Sequence, residues 1–395
     1  MQLDDAKPHL PRTLHPVLLE RARQYAIVTL TGPRQSGKTT LCRTAFPALP
    51  WVSLERPDLR RQALDDPRGL LARHPHGAIL DEVQRAPELL SYLQDDVDQR
   101  PGVRGRWILT GSHNLLLLQA VSQSLAGRTA LLNLLPFGLD ELPADWLAGR
   151  SWFDVALQGG YPAPWQRDIP IDVWLADYVA TYLDRDVRDV LRVGDLAGFE
   201  RFVRLCAGRA GQLVNFSSLG ADAGIAHNTA KAWLSALEVT FVTFTLRPWA
   251  PNLTTREVKS PKLYFWDTGL LCWLLGLRRA EDVALHPLRG AIFENLVTVQ
   301  LLKRDLHRGR RPSWWFYRDA KGLEVDLVQD EGLRHRVVEV KSGATVQAEW
   351  ARPLQVLGER MAKRGLGVEP ELVYGGDEDG SAQKIPVRSW RRLVG

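Results

Sequence analysis

Cysteine is scarce in this chain of 395 residues, which has three copies, Cys42, Cys206 and Cys272. They are far apart and form no Cys-x-x-Cys pair, so they indicate neither a disulfide framework nor a zinc site. Such free, scattered thiols are typical of a reducing compartment. We therefore expect a cytoplasmic location.

Long apolar runs are lacking as well. The first residues contain no apolar signal core, and the most apolar stretch, LYFWDTGLLCWLLGL, is short and interrupted by Asp267. A helix that crosses a bilayer needs about 20 consecutive apolar residues. We expect no targeting segment and no membrane partner. Internal repeats and low-complexity tracts are also missing, which argues against a solenoid or a disordered arm.

The overall composition is that of a folded protein with several domains. The chain is 45% hydrophobic and 25% charged, and it exceeds the length at which one core keeps growing. Basic residues outnumber acidic ones by 51 to 46, which gives a net charge of +5. This small excess favours an anionic partner, with nucleic acid first.

A phosphate-binding loop is predicted in YAIVTLTGPRQSGKTTLCRTA, where an apolar strand, a glycine-containing loop and a helix follow one another. The loop fits the pattern G-x-x-x-x-G-K-[ST]. Glycines let backbone N–H groups surround a phosphate at a helix N-terminus, and the lysine reaches the β- and γ-phosphates. The predicted nucleotide-binding residues are Gly32, Pro33, Arg34, Gln35, Ser36, Gly37, Lys38, Thr39 and Thr40.

A second acidic motif completes this site. In GAILDEVQRAPELL an apolar strand ends at Asp81 and Glu82. We predict that Asp81 and the Thr39 hydroxyl hold magnesium, and that Glu82 orients or deprotonates the attacking water.

Two further positions belong to the same region. Ser112 follows the apolar strand of RWILTGSHNLLLL, where its hydroxyl could bond the γ-phosphate or the water, or could cap the next helix. Arg128 follows in SLAGRTALLNLLPF, just before another apolar strand.

The stretches GPRQSGKTT, ILDEVQ, ILTGS and SLAGR, in this order, resemble the AAA+ ATPase domain of a large prokaryotic family. In that family a C-terminal domain of unknown function follows. The resemblance implies ATP and Mg²⁺ as cofactors, and it implies that Arg128 is an arginine finger acting on a neighbour's ATP. A homo-oligomer, such as a hexameric ring, would then be required. A surface salt bridge is the alternative role of Arg128.

The middle of the chain has the order of a winged helix. We predict a helix, a short helix beginning at Ser217 or Ser218, a turn at Gly224, a helix from about His227 to Glu238, and two strands. The second helix of such a unit can enter the major groove of DNA. The outward residues predicted to contact DNA are His227, Asn228, Thr229 and Lys231. Protein binding is the alternative use of this fold.

The tetrapeptide EVKS occurs twice, and its two copies lie in different surroundings. The first copy follows the strand after the predicted recognition helix, and no second carboxylate stands in the adjoining strand. We predict that it forms a basic wing in which Arg256, Lys259 and Lys262 contact phosphates.

The second copy lies among further carboxylates. Strand alternation places Asp326 on one face, and Glu339 and Lys341 on one face of the next strand, with Glu294 on a preceding helix. This order resembles the PD-(D/E)xK restriction-endonuclease-like superfamily, which implies a metal site at these four residues. A structural ion network, with Glu339 and Lys341 paired, is the alternative.

These observations predict an α/β chain with an AAA+ P-loop parallel-sheet domain, then a winged helix, then a restriction-endonuclease-like α/β domain. The predicted segments are 1–140 for the ATPase, 141–197 for a helical lid or connector, 198–262 for the winged helix and 263–395 for the nuclease-like domain. We expect an ATP-hydrolysing motor that acts on DNA. An ATP-gated metal-dependent nuclease and a non-motor regulatory switch are the alternatives.

Overall fold

The computed structural model describes residues 9–112, 121, 124–183, 195–250 and 260–394. Strands in these residues form a five-stranded, a six-stranded and a two-stranded sheet. None of the described helices combines the length and the apolarity that a bilayer crossing needs.

The N-terminal sheet is entirely parallel, and its strands follow the order β2-β3-β4-β1-β5. Strands β1, β3 and β4 are buried along their whole length, which is why they are continuous apolar runs in the sequence. The strands are β1 Ile27–Thr31, β2 Trp51–Ser53, β3 Ala78–Asp81, β4 Trp107–Gly111 and β5 Thr129–Asn133. The surrounding helices are α1 Leu14–Gln24, α2 Lys38–Ala45, α3 Pro57–Asp65, α4 Pro67–Ala72 and α5 Leu89–Asp98. The prediction of a parallel α/β sheet is confirmed.

Short helices follow the sheet. They are α6 Ala144–Ala148, α7 Trp152–Gln158, α8 Pro162–Arg167 and α9 Ile171–Tyr178, and a π-helical turn extends α9 over Val179–Leu183. Their aromatic side chains pack into the C-terminal half, as where the Trp152 and Phe293 ring centroids lie 4.8 Å apart.

Three helices and a hairpin form the middle of the chain. The helices are α10 Leu196–Ala207, α11 Phe216–Ala223 and α12 His227–Val239, and the antiparallel strands are β6 Thr243–Leu246 and β7 Lys262–Phe265. Helix α11 begins at Phe216, before the expected Ser217 or Ser218, because the Asn215 side chain caps it by accepting from Ser218 N at 3.0 Å. It ends at Gly224, whose φ of 72° is left-handed, as the predicted turn requires.

The C-terminal sheet is mixed, with the order β12-β13-β11-β10-β9-β8. Its strands are β8 Trp314–Arg318, β9 Glu324–Asp330, β10 Arg334–Lys341, β11 Gly367–Tyr374, β12 Gly380–Ala382 and β13 Ile385–Ser389. The helices of this half are α13 Thr268–Leu274, α14 Ala280–Leu285, α15 Arg289–His307 and α16 Arg352–Ala362. Long helix α15 packs against β10 of this sheet and also against β5 of the N-terminal sheet.

The boundary predicted between residues 262 and 263 falls inside strand β7. One buried apolar cluster extends from Leu135 to Leu393 and includes residues of the helical segment, the hairpin and α15. The hairpin therefore shares its core with the C-terminal half, and a cut at residue 262 would divide that core.

A buried arginine joins the N-terminal sheet to helix α15. Arg12 Nε donates to Glu141 Oε1 at 3.0 Å, and its Nη atoms donate to the carbonyls of Ser36 at 2.8 Å and Leu135 at 2.6 Å. Glu141 Oε2 lies 3.3 Å from Nδ1 of His307 on α15. This Arg12–Glu141–His307 chain connects the loop after β1 to the C-terminal half.

Replacing Arg12 by methionine should lower the free energy of unfolding by about 3–5 kcal/mol, because the buried Glu141 carboxylate then loses its partner. Urea denaturation of the full chain measures this change. The matched control is Arg56→Met, since Arg56 and Asp58 form an ion pair with both side chains about three-fifths exposed, 62% and 61%. An Arg12 variant as stable as the control variant would contradict the assignment.

The Arg12–Glu141 ion pair should also make the free energy of unfolding depend on pH in the acid range. Burial alone raises the pKa of Glu141, but the charges of Arg12 and His307 and the hydrogen bonds to this carboxylate together outweigh burial and hold that pKa at about 2. A carboxyl group whose pKa is lowered by folding stabilises the folded protein fully above its unfolded pKa of about 4.3. This stabilisation is lost as the pH falls towards 2. The stability difference between wild type and Glu141→Gln should therefore shrink over this window. A difference that stays constant from pH 6 to pH 3 would contradict the account.

Candidate functional site

The loop between β1 and α2 requires glycine at two positions. Gly32 has a φ of 148°, and a Cβ built there would lie 2.0 Å from the carbonyl oxygen of Leu134. Gly37 has a φ of 92° and directly precedes α2. Both backbone conformations are ones that side chains disfavour, so the two glycines of the motif are explained by the shape of the loop.

Lys38 is the first residue of α2 and is 6% exposed. Its Nζ donates to the carbonyls of Gly32 at 2.9 Å and Pro33 at 2.7 Å. Burial lowers the pKa of this lysine, while the charges of Glu82 and Asp81 act in the opposite direction. The ammonium is thus held over the loop by neutral oxygens that anionic phosphate oxygens can replace.

Asp81 lies where the ends of three neighbouring strands meet. Its Oδ1 accepts a hydrogen bond from Thr39 Oγ1 at 3.1 Å and another from Thr110, at the end of β4. The β3-β4-β1 order brings these side chains to one edge of the sheet. A threonine hydroxyl beside a carboxylate is a donor set that suits Mg²⁺.

Glu82 has a left-handed backbone, with a φ of 57°. Ser112 Oγ donates to Glu82 Oε2 at 2.9 Å, and Gln84 Nε2 bonds the same oxygen. Burial raises the pKa of Glu82, but the Lys38 charge and these hydrogen bonds outweigh burial, so that pKa lies below its ordinary value. The carboxylate is therefore ionised at neutral pH, as a base must be. The alternative role of Ser112 as a helix cap concerns residues 113–120, which lie outside the described residues.

Arg128 forms a two-pronged ion pair within its own chain. Its Nε and Nη2 donate to the two carboxylate oxygens of Asp98 at 2.7 and 2.8 Å. The surface salt bridge that was the alternative interpretation is therefore present. A role on a neighbour's ATP requires this pair to separate.

A cavity lies next to the nucleotide loop, and the loop motif did not indicate it. A cavity of about 400 Å³ opens beside Gly37 and Thr40, and its walls come from segments far apart in the sequence. They include Leu10, Leu41, Phe137, Pro162 and Gln166. The buried hydroxyl of Ser36 has no hydrogen-bond partner among the described residues. A loop with an unmatched hydroxyl, an apolar cavity beside it and a buried lysine fits a bound nucleoside triphosphate with Mg²⁺.

Four carboxylates gather in the C-terminal half, and we call Glu294, Glu324, Asp326 and Glu339 the carboxylate cluster. Asp326 Oδ2 accepts from Val340 N at 2.8 Å, and Glu339 Oε1 accepts from Lys341 Nζ at 2.5 Å. Burial and then the Asp326 charge raise the pKa values of both Glu294 and Glu339. The structure thus brings together the predicted Glu294, Asp326, Glu339 and Lys341, and adds Glu324.

Lys262 was predicted to contact a DNA phosphate, and that prediction is wrong. The residue is 2% exposed. Its Nζ lies 2.6 Å from Glu324 Oε1, 2.9 Å from Glu294 Oε1 and 3.7 Å from Asp326 Oδ1. The sequence did not indicate these contacts, because the four residues come from three elements that meet only in the folded chain.

Cations that contact the carboxylate cluster include Lys262, Lys341 and Arg318, whose Nη1 lies 3.1 Å from Glu324 Oε2. Burial and the Asp326 charge raise the pKa of Glu294 to about 7 and the pKa of Glu339 to about 8. Among the described residues, no group of three or more His, Cys, Asp and Glu side chains is placed to hold a metal ion. The predicted metal site is therefore present as a cluster of side chains but not as a set of converging ligands.

The predicted DNA-contacting residues of α12 lie on its outer face. His227, Asn228 and Lys231 are exposed, and Thr229 is half-buried. The opposite face packs inward through Ala230, Trp233, Leu234 and Leu237, which are buried. Arg256 and Lys259 of the predicted wing lie outside the described residues.

Comparison with known families agrees with the N-terminal site. Residues 24–142 match the AAA domain family. Together with the loop, Lys38, Asp81 and Glu82, this match defines the N-terminal part as a P-loop ATPase domain. Residues 149–281 and 289–390 match two families described as domains of unknown function, DUF8612 and DUF4143. The ATPase prediction is confirmed, whereas the winged helix and the nuclease-like domain stay predictions.

Relatives occur in mycobacteria. The chain is 31% identical over 344 residues to uncharacterized protein Rv2008c of Mycobacterium tuberculosis and to uncharacterized protein Mb2031c of Mycobacterium bovis. Each alignment covers 86% of this chain and 74% of the relative. The chain belongs to the same family as these two proteins.

Two solved archaeal structures are remotely similar. The Walker-type ATPase PABY2304 of Pyrococcus abyssi is 16% identical, with a TM-score of 0.44, over 69% of this chain and 99% of that chain. The signal transduction ATPase with numerous domains (STAND) protein PH0952 of Pyrococcus horikoshii, which has a tetratricopeptide repeat sensor, is 12% identical, with a TM-score of 0.26, over 72% of this chain and 44% of that chain.

Lys38→Ala should abolish ATP binding, because it removes the cation that the loop holds ready for phosphate. Glu82→Gln should still bind ATP but should lower its turnover by a factor of about 10²–10⁴, the usual contribution of a catalytic base. Equilibrium dialysis with labelled ATP and phosphate release measure the two effects. Glu88→Gln, an exposed carboxylate of the same segment, is the control. Wild-type turnover in Glu82→Gln would contradict the role of Glu82.

Proposed function

We propose that this protein is an ATP-driven motor that acts on DNA, a translocase or helicase-like remodeller. ATP hydrolysis belongs to the N-terminal P-loop domain, and DNA binding belongs to the unit formed by α10, α11, α12 and the β6–β7 hairpin. The observation that carries the DNA half is the outer face of α12, which is polar and exposed while its inner face is buried.

In the ATPase half, each residue has a role that follows from its contacts. Lys38 exchanges two carbonyl partners for phosphate oxygens, and the backbone N–H groups of the loop bind the β-phosphate. Bound Mg²⁺, held by Thr39 and Asp81, would neutralise phosphate charge. Glu82 accepts a proton from the attacking water, and Ser112 orients the Glu82 carboxylate through their 2.9 Å hydrogen bond.

In the DNA half, a turn at Gly224 joins α11 to α12, and we assign these two helices to a helix-turn-helix. His227, Asn228, Thr229 and Lys231 are side chains that can donate to base edges or to phosphates. The excess of basic residues in the chain supports an anionic partner.

The contacts of Arg12 can transmit a change at the nucleotide loop to the C-terminal half. This side chain bonds the carbonyl of Ser36 in the nucleotide loop and Glu141, which lies beside His307 of α15. A movement of the loop on ATP binding would thus change the contacts that position α15. In a homo-oligomeric ring, Arg128 would leave Asp98 and stabilise charge on a neighbour's ATP, and the C-terminal half would grip DNA.

An ATP-gated nuclease is the second candidate, and one observation favours it. Asp326, Glu339 and Lys341 are close together, with Glu294 nearby, as cleavage through a bound metal would require. The Lys262 ammonium lies inside the carboxylate cluster, and this observation argues against a metal-dependent nuclease.

One panel of reactions separates the candidates. Labelled duplex and single-stranded DNA are incubated with Mg²⁺ or Mn²⁺, with and without ATP, using wild type, Lys38→Ala and Asp326→Ala. The motor predicts strand separation that requires Lys38 and survives Asp326→Ala. Cleavage products that vanish in Asp326→Ala would favour the nuclease, and intact, unseparated DNA under every condition would overturn both.

DNA binding itself is tested on α12. The double variant Asn228→Ala/Lys231→Ala should weaken binding of labelled duplex on the order of tenfold or more, since it removes one base-reading and one charged side chain. Fluorescence anisotropy at fixed salt measures the change. Lys363→Ala, an exposed lysine of the C-terminal half, is the matched control. If Lys363→Ala lost as much DNA affinity as the double variant, the overall charge alone would explain DNA binding and α12 would have no specific role.

A further inference from the structure

We infer that the Lys262 ammonium is the resident cation of the carboxylate cluster and keeps a divalent metal ion out of it. The inference concerns the C-terminal half alone and does not depend on ATP hydrolysis or on DNA binding. It also gives Lys262 a second role, because this lysine fastens the β6–β7 hairpin to α15 and β9.

The position of the ammonium carries the first step. Three carboxylates from two elements surround Nζ, at 2.6 Å for Glu324, 2.9 Å for Glu294 and 3.7 Å for Asp326. The ammonium donates hydrogen bonds to Glu324 and Glu294, whereas Asp326 is close enough for an ion pair but not for a hydrogen bond. Glu294 Oε1 also accepts from Tyr264 Oη at 2.6 Å, so both lone pairs of that oxygen are in use.

The backbone holds Lys262 in this place. It is the first residue of β7, where it pairs with Leu246 of β6 and bridges to Leu213. The ammonium also lies 5.5 Å from the centroid of the Phe316 ring. Burial lowers the pKa of Lys262, but the carboxylates outweigh burial and raise that pKa well above its ordinary value.

Few oxygens remain for a metal ion. Asp326 Oδ2 is bonded to Val340 N, and Asp326 Oδ1 faces the ammonium. Glu339 Oε2 is buried and has no hydrogen-bond partner within the described part of the chain. A divalent ion bound between Asp326 Oδ1 and Glu339 Oε2 would lie close to the Lys262 charge and would be repelled by it.

Removal of the Lys262 charge should therefore create a metal site. Mn²⁺ is titrated into the nucleotide-free full chain in the Lys38→Ala background, and free Mn²⁺ is followed by its electron paramagnetic resonance signal. The chain with Lys262 should hold no Mn²⁺ that depends on Asp326. Lys262→Met should gain one Mn²⁺ site, with an affinity about tenfold or more above the weakest binding that the titration detects, and Asp326→Asn should abolish this gain.

Controls keep the test decisive. Lys363→Met removes an exposed lysine and should gain no site. Mn²⁺ should raise the melting temperature of Lys262→Met but not that of the chain with Lys262, and this checks that the variant is folded. Either Asp326-dependent Mn²⁺ binding in the chain with Lys262, or folded Lys262→Met without a gain, overturns the inference. If Lys262→Met and Lys262→Gln both fail to fold, comparison of the chain with Lys262 and its Asp326→Asn variant still decides.

Discussion

The Arg12 guanidinium lies buried between the nucleotide loop and the C-terminal half, and the position of both depends on it. It bonds the carbonyls of Ser36 and Leu135 and the carboxylate of Glu141, and it stacks over Phe137 at 4.6 Å. Helix α15 contacts the same residue, Phe137, because Lys303 Nζ donates to the Phe137 carbonyl at 3.0 Å. A charge this deeply buried is tolerated only with such a set of partners, so a shift of the loop relative to α15 would break some of these bonds.

Two buried lysines show how similar sequence features acquire opposite roles. Lys38 is held by neutral carbonyl oxygens, so an incoming phosphate improves its electrostatic environment. Lys262 is held by carboxylates, which already neutralise it, so a further cation meets repulsion there. The carbonyls around Lys38 leave its charge available for a phosphate, whereas the carboxylates around Lys262 are already occupied by its charge. The partner atoms, more than the lysine, decide the difference.

Local patterns were predictable, and contacts between distant segments were not. The nucleotide loop, the acidic pair at Asp81 and the two faces of α12 follow from motif and periodicity, because each is formed by neighbours in the chain. Lys262 was placed on a wing because the residues around it are basic, whereas its partners lie on α15 and β9. Arg12 gave no signal at all, since its partners Ser36, Leu135 and Glu141 are spread along the chain and two of its bonds go to backbone carbonyls. Alternation did place Asp326 with Glu339 and Lys341, but it could not reveal which cation sits among them.

We propose that ATP turnover in the N-terminal domain responds to DNA bound by the middle of the chain. This response is measured as steady-state phosphate release by the full chain, titrated with duplex DNA at constant ionic strength and saturating ATP. We expect a saturable rise in kcat that disappears in Asn228→Ala/Lys231→Ala, while basal turnover of that variant is unchanged. A kcat that stays flat up to saturating DNA would contradict it.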